Sequence, residues 1–241
     1  MMDSTAYVAL SRQVALMREL DVTATNVANI NTTGFKAEHT LFETVLQNAG
    51  VPNGLAFVQD VGTARDLSPG PLIPTGNPLD VAVDGRGWLA FGTPGGTLYG
   101  RVGHLAVSAT GALLDASGNA LLDDGGAAIA LPANEREITI AADGTISGRN
   151  GVVGRIGLSS FANEQTLVPA GGGLWRASQP AAPADGRLVQ GMLEGANVEP
   201  VLEMTRMIET QRAFDGTQRL IDVDHELSRK SVDALLGSGR A

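Results

Sequence analysis

The side chains that could do chemistry are few, and their spacing does not bring them together. The three histidines, His39, His104 and His225, are far apart, and none stands at metal-ligand spacing from another. The densest acidic run is Asp222-Val223-Asp224-His225-Glu226, whose oxygens are of the kind that hold a divalent cation. On a helix, neighbours one and two apart point to different faces, so these groups do not converge, and the run reads as a solvated helix face. Asp123-Asp124-Gly125-Gly126 lacks the alternating ligands and terminal Glu of a calcium loop and reads as a turn. Gly92-Thr93-Pro94-Gly95-Gly96-Thr97 and Gly171-Gly172-Gly173 have neither the lysine of a phosphate loop nor a following amphipathic helix; they read as hairpin loops. There is no Gly-x-Ser-x-Gly elbow, and with Cys 0 there is no thiolate nucleophile, disulfide or Cys-based metal site. Asn31-Thr32-Thr33 fits a glycosylation triplet, but a helix-ending turn is the better account of it. Catalysis has no positive signal, and no cofactor, metal or small-molecule substrate is called for.

Composition points to scaffold rather than site. The 241 residues carry Lys+Arg 17 against Asp+Glu 26, a net charge of −9 that leaves no basic field for nucleic acid or an anionic membrane surface. Gly 31 with only 4% aromatics implies many turns and short strands. Asp3, Arg12, Arg18, Glu19 and Asp21 interrupt the first thirty residues, so no apolar h-region or membrane span is expected there. That predicts a cytoplasmic chain, or one exported without a cleaved signal peptide.

Residues 4 to 29 place Tyr7, Leu10, Val14, Met17, Ala24 and Ala28 on a 3-4 spacing, with Leu16, Leu20 and Val27 widening the stripe, which predicts an amphipathic helix ending near Asn29. A second long helix is expected from about Glu199 to Leu236, where Val201, Met204 and Ile208, then Leu220, Val223 and Leu227, keep the same spacing. Between them, Val51-Pro52-Asn53-Gly54 and Leu67-Ser68-Pro69-Gly70-Pro71 suggest an extended connector. Short apolar alternations before Asp84-Gly85, Thr110-Gly111 and Asp143-Gly144 then suggest hairpins of a β domain, and Leu188 to Met192 a last strand. The expected architecture is α+β: a compact, mainly-β central domain with long N- and C-terminal helices that pair as a coiled coil. Its parts are a discontinuous inner core (1–35 with 196–241), an extended connector (36–75) and a β-rich outer domain (76–195). Two helices packed on one globular sheet domain is the other reading of the same pattern. Asp215-Gly216 interrupts the second helix with a poor helix former.

Three segments taken in order resemble a known family. Asn26-Val27-Ala28-Asn29-Ile30-Asn31-Thr32-Thr33-Gly34-Phe35-Lys36 is similar to the N-terminal signature of the axial rod and hook proteins of the bacterial flagellum. Gly76-Asn77-Pro78-Leu79-Asp80-Val81-Ala82-Val83, followed by Tyr99-Gly100-Arg101-Val102-Gly103 and Thr110-Gly111-Ala112-Leu113, resembles the start of that family's β domain. Leu193-Glu194-Gly195-Ala196-Asn197-Val198, through Glu203-Met204, Met207-Ile208 and Gln211-Arg212-Ala213-Phe214, resembles its C-terminal signature. Asp84-Gly85-Arg86-Gly87-Trp88-Leu89 and the stretch from Glu137 to Ser147 look most like the proximal-rod type. Hook proteins carry an extra outer domain for which this chain has no room.

The resemblance implies a non-enzymatic subunit of the proximal rod. It would polymerise helically into a drive shaft that transmits torque and carries the export channel. Its place would be the basal body, within the periplasmic space, reached by flagellar export without a cleaved signal peptide. Implied partners are copies of itself and other proximal and distal rod proteins, with MS-ring and export-gate proteins as further candidates and no direct membrane insertion. A distal-rod protein of the same family is the nearer alternative, and a soluble enzyme on a β scaffold the more distant one. The candidate subunit interface comprises Leu10, Val14, Met17, Leu20, Asn26, Asn29, Asn31, Gly34, Phe35, Val201, Met204, Ile208 and Phe214. Leu10, Val14, Met17, Leu20, Val201, Met204 and Ile208 are its expected apolar seam. Gly34 is expected to allow a turn that a side chain would hinder. Phe35 either plugs a pocket between subunits or staples the first helix to its own β domain.

Overall fold

The computed structural model describes residues 2–47, 55–132 and 137–237. The 3-4 periodicity near the N-terminus becomes helix α1, Met2–Ala28, and the one near the C-terminus becomes helix α2, Pro200–Gly237. α1 stops where the sequence places its end. The Asn29 carbonyl accepts from the Thr32 amide at 3.0 Å, the Asn29 side-chain oxygen accepts from the Thr32 hydroxyl at 3.1 Å, and Gly34 takes φ 69°. Proline opens α2, at the helix position that needs no amide donor. Its 38 residues make a rod about 57 Å long, unbroken through Asp215-Gly216.

The chain divides into two compact units: Met1–Ala28 and Glu38–Asp66 with Glu199–Ala241, and Asn29–Ala37 with Leu67–Val198. Where the sequence suggests an extended connector over 36–75, the structure has a hairpin: strand β1, Glu38–Gln47, pairs antiparallel with strand β2, Leu55–Arg65. Extended backbone exposes a row of donors and acceptors, and the second strand satisfies them. Opposite the step from Leu41 to Phe42, β2 carries an extra residue, Val61, in a bulge that shifts the register. The segment Val51-Pro52-Asn53-Gly54 lies outside the described residues. In the first unit α1 packs against α2 and against both strands of the hairpin.

The second unit holds the mainly-β central region of the chain. Among the described residues its largest sheet has nine strands, all paired antiparallel. Trp88–Thr93 is central and pairs with Gly96–Gly100, Ala120–Leu121 and Leu158–Ser160. The alternations read from sequence are strands Val81–Asp84, Ala106–Val107 and Thr139–Ile140, and Arg187–Gln190 and Met192–Glu194 close the domain. Val81, Val83, Leu89, Phe91, Leu113, Leu121 and Ile146 form its buried core, each contributing about 1.5 to 3 kcal/mol if its burial is complete. A second cluster gathers Trp88, Phe161, Leu167 and Trp175, with Tyr99 edge-on to Phe161 at 4.8 Å. No described helix is long and apolar enough to cross a membrane.

Gly216 sits in the interior of α2, exposed, and a methyl group at its Cβ position would meet nothing within 4 Å. Gly216→Ala should therefore stabilise the isolated chain by about 1 kcal/mol, read as a rise in the midpoint of thermal unfolding followed by helical circular dichroism.

Candidate functional site

The helix pair is turned inside out relative to an ordinary amphipathic pair. α2 lies antiparallel to α1, since Gln13 Nε2 donates to Gln218 Oε1 at 2.6 Å and Asn26 Nδ2 to Glu203 Oε2 at 3.1 Å. Among the described residues, the buried positions of α2 are Glu203, Thr210 and Thr217, seven residues apart, and those of α1 are Ala9, Ala15, Val22, Thr23 and Asn26. The expected seam residues lie elsewhere. Leu10, Val14, Met17, Val201, Met204 and Ile208 are exposed, Val201 to 76%, and Leu20 is half-buried. Small side chains bring two helix backbones close, and α1 and α2 meet through theirs. The large apolar stripes are left on the other faces. Tyr7, Leu220, Val223 and Leu227 are exposed with them.

Asn26 has a role inside its own unit. It is 1% exposed, and its side-chain amide pairs with Glu38 as a backbone would: Nδ2 donates to the Glu38 carbonyl at 2.8 Å and Oδ1 accepts from the Glu38 amide at 3.0 Å. One side chain thus joins α1, β1 and, through Glu203, α2. Arg206 donates to the other Glu203 oxygen. Beside them the guanidinium of Arg65 has its pKa lowered by burial, while the charge and hydrogen bond of Glu38 oppose the shift.

In the second unit the motif residues converge on a carboxylate. Glu194 has a fully buried side chain. Its Oε1 accepts from Lys36 Nζ at 2.7 Å and the Gly70 amide at 3.0 Å, and its Oε2 from Arg101 Nη1 at 3.0 Å. Lys36 also donates to the Ser68 carbonyl at 2.6 Å, and Arg101 Nη2 to the Gly85 carbonyl at 2.8 Å, with the guanidinium 5.7 Å from the Trp88 ring centre. The Glu194 carbonyl accepts from the Gly34 amide at 2.8 Å. Gly34 has to be glycine here. Besides its positive φ, a Cβ would lie 2.8 Å from the Arg101 carbonyl carbon and oxygen. Asn197 finishes the junction, its Oδ1 accepting from the Ala37 amide at 2.7 Å and its Nδ2 donating to the Ser68 carbonyl at 3.1 Å.

The remaining candidates fall on either side of this junction. Asn29 is half-buried in the turn after α1, and Asn31 is exposed on it. Phe35 packs with Ile30 against Ala37, Ala196 and Val198 of its own chain. Phe214 is half-buried on α2. Sequence reasoning passed over Lys36, Arg101, Glu194, Asn197 and Glu203 as letters of motifs. The available signal was a lone charge in apolar, glycine-rich surroundings, as in Gly34-Phe35-Lys36-Ala37 and Leu193-Glu194-Gly195-Ala196, which is the setting of a buried, paired ion.

The groups weighed for chemistry stay apart. His104 Nδ1 lies 2.7 Å from Asp80 Oδ1, which also accepts from Asn77 Nδ2 at 2.9 Å, holding the turn before Val81–Asp84. His39 and His225 are exposed on different elements. On α2, Glu226 pairs with Lys230 at 2.7 Å, and Asp222 accepts from Gln218 at 3.3 Å. The exposed Asp143 carboxyl is held below the usual carboxylate range, first by the Thr145 amide and then by the Thr145 hydroxyl, as a turn would require. Among the described residues no group of three or more His, Asp or Glu is placed to hold a metal ion.

Glu194→Ala leaves two buried cations facing each other without their anion. It should cost about 3 to 5 kcal/mol, measured as a fall in the urea midpoint, while Glu137→Ala in the exposed pair with Arg149 should cost under about 1 kcal/mol.

Comparison with known proteins agrees with this convergence of motifs. Residues 7–36 match the family described as flagella basal body rod protein. Residues 82–148 match the D1 domain of flagellar hook protein FlgE/F/G, and residues 189–234 the C-terminal region of flagellar basal body rod FlgEFG protein. The flagellar basal-body rod protein FlgF of Caulobacter vibrioides is 39% identical over 241 residues, spanning 97% of this chain and 98% of its own. FlgF of Mesorhizobium japonicum is 38% identical over 97% of this chain and 98% of its own. The rod protein FlgG of Agrobacterium fabrum is 32% identical over 92% and 95%. Gly34, Lys36, Arg101, Glu194 and Asn197 of the junction lie in the matched segments, and with relatives of this identity along nearly the whole length the chain belongs to the flagellar basal-body rod protein family.

Proposed function

We propose that the chain is a structural, non-enzymatic subunit of the flagellar rod, assembling with copies of itself and with other rod proteins in the basal body. The observation that carries this reading is the exposure of the helices' large apolar side chains around a seam of small and polar ones. Such stripes gain about 25 cal/mol for each Å² of apolar surface that a neighbour covers, and single soluble chains rarely expose apolar surface so continuously. Leu10, Val14, Met17, Val201, Met204 and Ile208 are then contacts between subunits, and α1 and α2 together the coiled-coil element of an inner tube around the export channel. The β unit forms the outer layer. Asn26, Gly34 and Phe35 serve this assembly indirectly, by holding the turn that leads the chain out of α1.

Within the family, the proximal-rod reading is favoured over the distal one by the higher identity to FlgF proteins than to the Agrobacterium FlgG. A proximal place makes the MS ring and the export gate the neighbours at the membrane end, and the periplasmic space the surroundings of the outer layer. The net charge of −9 favours basic, salt-sensitive contacts there.

Met17→Asp puts a carboxylate into an apolar contact without a partner for it. Incorporation into basal bodies purified from cells producing the variant should fall to background, while the β unit of the purified variant keeps wild-type near-ultraviolet circular dichroism. Wild-type incorporation would remove Met17 from the contact surface.

A further inference from the structure

Gly216 has no role in the packing of its own chain. It lies in the interior of a long helix, where glycine weakens the helix, and it has neither a positive φ nor a neighbour that a side chain would strike. It opens a notch of about 440 Å³ between the helices, walled by Val8, Ala9 and Arg12 of α1 and by Ala213 and Leu220 of α2. Beyond the notch on the same face of α2 come Leu220, Val223 and Leu227, all exposed, at 3-4 spacing. α1 carries a second exposed stripe of the same kind, Tyr7, Leu10, Val14 and Met17.

The two stripes are complementary in register. With an α1 laid antiparallel along this face of α2, one offset sets Met17 over Gly216, Val14 over Leu220, Leu10 over Val223 and Tyr7 over Leu227. The largest flexible side chain of one stripe meets the gap in the other, and the 3-4-3 spacing of α1 interleaves with the 4-3-4 spacing of α2. The same offset sets Asp21, which continues the α1 stripe, opposite Arg212, so a pair of opposite charges closes one end of the apolar rungs. Both charged residues are exposed. The α1 of the same chain cannot be the occupant, since it lies against the Glu203, Thr210 and Thr217 face of α2.

We propose that Gly216 is the socket for Met17 of a second copy, whose α1 lies antiparallel along the Leu220, Val223 and Leu227 face of α2. The contact joins unlike surfaces, so the second copy keeps its own α2 face free for a third, and the pairing propagates instead of closing into a dimer. This rests on the rod-subunit reading and names the surface by which copies of the chain meet.

The absence of cysteine makes the test direct. Full-length Met17→Cys and Gly216→Cys chains are produced together in cells that assemble basal bodies, and mild oxidation is followed by mass spectrometry of linked peptides. A disulfide requires Cα atoms within about 7 Å, so a dimer joined between positions 17 and 216 is expected, several-fold above the yield from Met17→Cys with Val201→Cys. Equal yields from the two pairs would overturn the proposal. Gly216→Leu fills the socket without touching the seam. It should fold with wild-type helical content and lose incorporation, and wild-type incorporation of this variant would also overturn the proposal. Failure of the unmodified chain to enter basal bodies is a different result: it removes the rod-subunit reading, and this inference falls with it.

Discussion

Two helices can come close only where their side chains are small, and the seam between α1 and α2 is closed by alanines, threonines and a few hydrogen-bonded polar groups. That constraint governs the rest of the unit. A seam with so little apolar area to bury gives little stability by itself, so fixed polar contacts supply the register. Asn26 stitches α1 to β1 and to Glu203, and Gln13 meets Gln218 near the other end. The long apolar side chains face away from the seam, so the pair has its largest unsatisfied apolar area on the outside. A chain built this way is a part awaiting neighbours.

A second constraint sits in the β unit, where one buried carboxylate collects the segments that chain order keeps far apart. Glu194 lies in the last strand, Lys36 in the turn after α1, and Arg101 just past a strand edge of the large sheet. Taking three charges out of water is costly, and apolar residues of similar volume often stabilise a core as well or better. In the junction the carboxylate meets two cations and an amide donor, so each of its oxygens is partnered in the arrangement that the Gly34 turn takes. Gly34 completes the geometry, since its backbone rests directly on that of Arg101.

The helices were legible in the sequence because periodicity is local. Tyr7, Leu10, Val14 and Met17 mark a stripe whatever they pack against, and Asn29 to Gly34 mark its end. The strands before Asp84-Gly85 and Asp143-Gly144 were legible for the same reason, each closing on turn chemistry read from a few residues. The side of the helix that α2 would take was not legible. The usual rule sends large apolar residues inward, and here that stripe and the seam are different faces, a distinction carried by the heptad spacing of Glu203, Thr210 and Thr217. The β1 and β2 hairpin was missed because prolines and glycines around it suggest an unpaired connector, whereas pairing depends on register between distant residues such as Glu38 and Arg65. Lys36, Arg101 and Glu194 were missed as a group because each is an isolated charge until the fold brings them together. The resemblance to rod proteins marked their segments as important without assigning these side chains a partner.

The central claim is that the outer faces of the helix pair are covered by other rod subunits. It is tested most directly by oxidising methionines with dilute peroxide in the free chain and in intact basal bodies, and reading sulfoxide at each position by mass spectrometry. Met17 and Met204 are exposed on the outer stripes, while Met192 and Met207 are partly covered within the chain. Rapid oxidation of Met17 and Met204 in the free chain, with both protected in the assembled rod and little change at Met192 and Met207, is the predicted result. Equal oxidation of Met17 and Met204 in the free and assembled protein would contradict the account.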